Sequence, residues 1–107
     1  MALWRRKMAE PQIPIPQEQV VDFCRRNQIR TFSLFGSVLR EGFGPDSDID
    51  VLVEFDPEAR IGFMALGRMQ RELADLLGRR VDLVPRDGLK PQIRDSVLGS
   101  AQVLYAA

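Results

Sequence analysis

The sequence predicts an α/β or α+β domain, a mixed sheet of three or four strands with helices packed mainly on one face. Two observations predict it. Three short apolar runs have the length of strands: Thr31-Phe32-Ser33-Leu34-Phe35, Ile49-Asp50-Val51-Leu52-Val53-Glu54-Phe55 and Arg80-Val81-Asp82-Leu83-Val84. Around them lie stretches with apolar residues at helical spacing, which bury themselves by covering a sheet. At 107 residues, 45% of them hydrophobic and 28% charged, the chain fits one small domain. That domain is expected over residues 13–105, behind a flexible leader of residues 1–12.

The elements follow in chain order. Met1 to Gln12 holds Trp4 beside Arg5, Arg6 and Lys7 but has no periodicity, so it reads as a solvated leader ahead of a basic tail that touches a partner. Ile13-Pro14-Ile15-Pro16 is an extended lead-in, because each proline biases its predecessor away from helix. Gln17 to Asn27 sets Val20, Phe23, Cys24 and Asn27 at helical spacing and its charges elsewhere, an amphipathic helix in which Cys24 is a packing residue. A strand from Ile29 then stops at Gly36. Ser37 to Glu41 lacks any breaker and is expected to form one or two helical turns before a polar loop and the strand from Ile49.

Pro57, in the polar turn Asp56 to Arg60, ends that second strand. From Gly62 or Phe63 onward, Leu66, Met69, Leu73, Leu76 and Leu77 draw an apolar stripe that Gly78 closes as a C-cap. Val81 to Val84 makes the third strand and Pro85-Arg86-Asp87-Gly88 a turn. A last helix starts at Pro91, a residue suited to the first helical position, with Ile93, Val97 and Leu98 inward and Gly99 at its end. Val103-Leu104-Tyr105 would add an edge strand.

The chemistry gathers at one strand end. Asp48 and Asp50 are separated by one residue, so on a strand they project from the same face while Ile49 points away. Two carboxylates that close are either partly protonated or share a divalent cation. Asp82 is a third carboxylate in a short apolar strand. It is either a further oxygen ligand or the partner of an arginine such as Arg79 or Arg80. Gly36 lets a phosphate approach the backbone, and the N–H groups after it, with the Ser37 hydroxyl, would aim donors at that anion. Hard oxygen ligands beside an anion-binding turn suggest magnesium and a nucleoside triphosphate.

Other chemistries are excluded. The chain has no histidine, which removes Ser-His-Asp triads, histidine bases and most catalytic zinc sites. A calcium loop counted from Asp46 would need glycine at its sixth position and glutamate at its twelfth, where Val51 and Pro57 stand. Gly36 is not followed by the remaining residues of a P-loop, and Gly42-Phe43-Gly44 lacks the last glycine of a dinucleotide fingerprint. Lys plus Arg and Asp plus Glu both number 15, so direct nucleic-acid binding is not expected. The single Cys24 makes no internal disulfide and no run has the length of a membrane span, so a cytoplasmic location is expected by elimination.

Gly36-Ser37, Arg40, Ser47-Asp48, Asp50 and Asp82 resemble the Gly-Ser, Ser-Asp-x-Asp and third-Asp signature of the polymerase-beta-like nucleotidyltransferases. Within that superfamily the chain is most similar to the minimal nucleotidyltransferases (MNT) of prokaryotic toxin-antitoxin pairs, from about Ile13 to Tyr105. It departs at Glu41, where many members place glycine. The resemblance implies transfer of AMP from ATP to an acceptor hydroxyl with two magnesium ions. Asp48 and Asp50 would hold the ions that bridge the triphosphate, and Asp82 would bind the second ion and activate the hydroxyl. Gly36 and Ser37 would hold the phosphates. Arg40 would either neutralise phosphate charge or brace the acidic cluster, and Ser47 would orient the loop and secondarily touch nucleotide.

Larger members add a helical domain for the second substrate, so here the acceptor surface is expected from a partner. The resemblance implies a HEPN-type toxin, neutralised in a hetero-oligomer by modification of a tyrosine. Two rival readings remain: an antitoxin that inhibits by docking alone, and a stand-alone transferase with a deep pocket for a small molecule.

Overall fold

A computed structural model describes residues 14–39, 44 and 47–107; the expected leader lies outside them. Four strands form one mixed sheet: β1 (Ile29–Phe35), β2 (Ile49–Phe55), β3 (Val81–Pro85) and β4 (Gln102–Ala106). Their order across the sheet is β3-β2-β1-β4. β1 runs antiparallel to both β2 and β4, and β3 is parallel to β2. Among the described residues three α-helices accompany the sheet, α1 (Gln17–Arg26), α2 (Phe63–Leu77) and α3 (Pro91–Ser100). The expected edge strand at Val103-Leu104-Tyr105 is β4. No described helix is long and apolar enough to cross a membrane.

Side-chain alternation sorts the two faces of the sheet. Phe32 and Leu34 of β1, Ile49, Val51 and Val53 of β2, and Val81 and Leu83 of β3 point to the inner face and are buried. α1 supplies Val20, Phe23 and Cys24 to that core, and α2 supplies Met69 and Leu73, with Leu66, Leu76 and Leu77 packed around them. Phe23 meets Phe32 edge to face, ring centroids 6.5 Å apart, which fixes α1 on β1. Arg26, at the end of α1, reaches across to Glu72 of α2 and back to Asp22. The outer edge of β3 is also anchored, because the Leu83 N–H donates to Gln70 Oε1 of α2 at 3.0 Å.

Cys24 is a packing residue, as its spacing implies. It is fully buried, and burial pushes its thiol up to about 12. A thiol needs its proton removed to react, so Cys24 is expected to resist a water-soluble disulfide reagent at mildly alkaline pH and to react only after denaturation. Rapid labelling of the native protein would contradict this packing.

Two elements differ from the sequence expectation. The stretch after Gly36 is a single 3-10 turn, Gly36–Leu39, tighter than the expected helical turns, and residues 40–43 lie outside the described ones. A 3-10 turn is what a chain makes when it must reverse at once, and Gly36 has a left-handed φ of 75°. α3 is the second difference, since no residue of it is buried and Ile93, expected inward, is 46% exposed. The outer face of the sheet carries the charged Asp50, Glu54 and Asp82 around Leu52, so α3, with only Ile93, Val97 and Leu98 to bury, meets little apolar surface there.

Candidate active site

Gly36 and Asp50 meet at the end of β1. Phe35 and Asp50 are register partners, so the chain turns at Gly36 directly beside the Asp50 side chain. A Cβ on Gly36 would stand 2.3 Å from Asp50 Oδ2 and 3.3 Å from its Cγ, well inside contact distance. Only glycine allows both this turn and this approach. The backbone of the Gly36 turn and the Asp50 carboxylate therefore form one wall.

Asp82 joins Asp50 across the parallel pair, in register with it on the outer face. The consequence shows in Asp50, whose carboxyl is raised above its ordinary value, first by burial and then by the charges of Asp82 and Asp48. Asp48 is placed differently. It precedes β2, is exposed, and its Oδ1 lies 3.0 Å from Arg80 Nε. Arg80, one of the two arginines considered for Asp82, engages Asp48. Among the described residues no three acidic, histidine or cysteine side chains gather closely enough to cage a metal.

The donor set nevertheless fits magnesium. That ion takes oxygen ligands, keeps several waters and uses one or two carboxylates with substrate phosphates rather than a closed cage. Asp50 and Asp82, two carboxylates on one face with Asp50 already strained toward its protonated form, are such a pair.

The loop before β2 is held from below. Ser47 Oγ accepts from the Gly44 N–H at 3.2 Å, and the Ser47 N–H donates to the Gly44 carbonyl at 3.1 Å. These two bonds tie Ser47 to Gly44. Arg79 donates to the carbonyls of Gly44 and Ser47, the latter at 3.1 Å. The Ile49 N–H donates to the Arg80 carbonyl at 2.9 Å, which starts the β2–β3 pairing. The sequence expectation for Arg79 was an ion pair; its contact with a loop more than 30 residues away has no local signal. The backbone of Ser37 lies in the 3-10 turn beside Asp50. Arg40 lies outside the described residues.

Comparison with known proteins gives consistent results. Residues 17–104 match the family described as nucleotidyltransferase domain. The protein adenylyltransferase MntA of Thermococcus cleftensis is 37% identical over 77 residues, covering 72% of this chain and 74% of that protein. A solved structure provisionally identified as a minimal nucleotidyltransferase is 38% identical, with a TM-score of 0.66 over 79% of this chain and 85% of that one. The MNT antitoxin complex with the tri-AMPylated HEPN toxin of Shewanella oneidensis also shares the fold. It is 22% identical, with a TM-score of 0.64 over 85% of this chain and 70% of that one.

Proposed function

The chain belongs to the nucleotidyltransferase domain family, and from that membership we propose that it transfers AMP from ATP to a tyrosine hydroxyl of a HEPN-type toxin and so acts as the antitoxin. The observation that carries the reading is the wall made by Gly36 and Asp50 with Asp82 in register beside it. The name of the Thermococcus relative supports protein adenylylation, and the partner of the Shewanella antitoxin supports a toxin as acceptor.

In this reaction the acceptor oxygen attacks the α-phosphorus of ATP, the bond from that phosphorus to the bridging oxygen breaks, and pyrophosphate leaves. The hydroxyl proton passes to a carboxylate, for which Asp82 is the candidate. Gly36 and Ser37 would hold the phosphates, Gly36 through its backbone beside the Asp50 carboxylate. Asp48, Asp50 and Asp82 would hold magnesium, which when bound neutralises charge on the entering and leaving oxygens. Asp48 would exchange its Arg80 partner for that role.

Arg79 positions rather than reacts. Arg79→Ala frees the loop that carries Ser47 and leads to Asp48, and is expected to lower kcat by roughly 10- to 100-fold, the cost of misplacing a reacting group by about 1 Å. KM for ATP is expected to change little, and Arg79→Lys is expected to restore part of the rate; an unchanged kcat in Arg79→Ala would contradict the role.

Tandem mass spectrometry of the partner after incubation with ATP and magnesium tests the reaction. AMP is expected on tyrosine, absent when the metal is chelated. AMP on another residue would overturn the acceptor, and modification that survives chelation would overturn the metal requirement.

A further inference from the structure

The end of the sheet opposite the Asp50 site carries a surface that the transfer reading leaves unused. A pocket of about 450 Å³ opens there, with Phe55, Ile61 and Leu66 among its apolar walls. Phe55 lies five residues beyond Asp50 on β2, roughly 17 Å along the strand. Beside the pocket stand Phe63 and Met64, 91% and 87% exposed, in the first turn of α2. No other large apolar side chain among the described residues is as exposed. Phe63 and Leu66 are three residues apart on the helix and so share a side of it, which sets the protruding ring next to the pocket's own wall.

Charge divides the same surface in two. Arg86 at the pocket rim is taken up by Glu54 at 3.6 Å. Of the remaining rim charges, Asp56 and Asp87 outnumber Arg30. Around Phe63 the sign is reversed: Arg60 precedes it, Arg68 follows it, and the first acid of α2 is Glu72. Arg60, Arg68, Asp56 and Asp87 make no ion pair with any described residue. A cationic apolar knob thus adjoins an acidic apolar hole on one copy of the chain.

Such an arrangement selects its own occupant. In a two-fold contact each patch meets its counterpart on the other copy, so one rotation seats both knobs in both holes. An apolar cavity of about 150 Å³ holds a benzene ring, so the pocket has room for the Phe63 ring of a second copy. Arg60 and Arg68 would arrive with that ring at Asp56 and Asp87. We propose that this surface is a two-fold interface between copies of this chain, in which Phe63 of each enters the pocket of the other. The contact lies away from the Asp50 site, so each copy keeps that site open to a partner of another kind. The inference stands apart from the transfer reading and adds a second interaction surface to it.

Sedimentation of the full chain over a range of concentrations tests it. Wild type is expected to pass from one chain to two as concentration rises, and salt at about 0.5 M to weaken the association at least tenfold by screening the exposed charges. Phe63→Ser removes the knob from a fully solvated position, and Ala59→Trp fills the hole from a half-buried one in the turn beside it. Each alone is expected to lower the association constant at least 100-fold. An equimolar mixture of the two variants keeps one knob and one hole, and is expected to pair more strongly than either variant does alone. Wild type that stays a single chain at every concentration overturns the inference; a loss of affinity for the co-purified partner in Phe63→Ser would then assign the surface to that partner. Association that neither substitution weakens places the contact elsewhere, and a mixture no stronger than its components separates Phe63 from the pocket; either result overturns the inference as well.

Discussion

Asp50→Asn is expected to lower AMP transfer by roughly three orders of magnitude or more, as befits loss of a group acting on the developing charge of the transition state, while leaving the metal-free fold at least as stable as wild type. The two halves of this result share a cause. Burial and the neighbouring charges of Asp82 and Asp48 raise the Asp50 carboxyl above its ordinary value. The folded protein therefore holds a proton that the unfolded chain has already released, over the window between the ordinary carboxylate value and the raised one. Stability falls as pH rises through that window, and the deficit persists at neutral pH. Asparagine carries no charge, so the deficit disappears with it. Thermal melts of both proteins in chelator across the acid range check the sign: the advantage of Asp50→Asn should grow as pH rises. Adding magnesium with AMP-PNP should stabilise wild type and not the variant. A variant less stable than wild type at neutral pH would contradict the charge argument.

Gly36→Ala should cost activity far more than stability. Among the described residues two glycines have left-handed backbones, Gly36 at φ 75° and Gly78 at φ 68°. Alanine at either adds backbone strain of about 1–2 kcal/mol. Their surroundings differ, because a Cβ at Gly78 would meet nothing within 4 Å whereas one at Gly36 would collide with the Asp50 carboxylate. The collision is relieved by turning Asp50 away, and a displacement of about 1 Å at a reacting group costs on the order of 100-fold in rate. Denaturant unfolding and transfer assays on both variants should show similar losses of stability and a loss of activity in Gly36→Ala alone. Equal activities would mean that the Gly36 turn does not set the position of Asp50.

The framework was legible where one physical signal dominated. The α2 stripe from Leu66 to Leu77 with Gly78 at its end repeats one period for three turns, and the helix runs as expected from Phe63 to Leu77 with Gly78 as its left-handed cap. β1, β2 and β3 followed from β-branched and aromatic runs bounded by breakers. α3 was legible as a helix from Pro91 but not in its packing, since spacing says which residues share a side and not whether the surface opposite is apolar. The turn after Gly36 was read as ordinary helix because nothing in Ser37, Val38 or Leu39 forbids one; the tightening comes from where β2 lies.

For the site, the one-residue spacing of Asp48 and Asp50 assumed that both lie on one strand, whereas β2 begins at Ile49 and Asp48 turns to Arg80; the pairing of Asp50 with Asp82 follows once β2 and β3 are neighbours. Arg80 with Asp48 and Arg79 with the loop carbonyls were beyond reach. Both depend on contacts between segments more than 30 residues apart, for which neither arginine carries a local mark.

We propose that Asp48, Asp50 and Asp82 together form a centre of nucleotidyl transfer to a partner protein. Incubating the chain and its co-purified partner with magnesium and ATP labelled at the α-phosphate, with Asp48→Asn and Asp50→Asn beside wild type, tests it most directly. Label on the partner with wild type, and none above background with either variant, is the predicted result. A partner that is bound and neutralised equally by all three proteins, with no label on it, would contradict the claim and leave a docking antitoxin in its place.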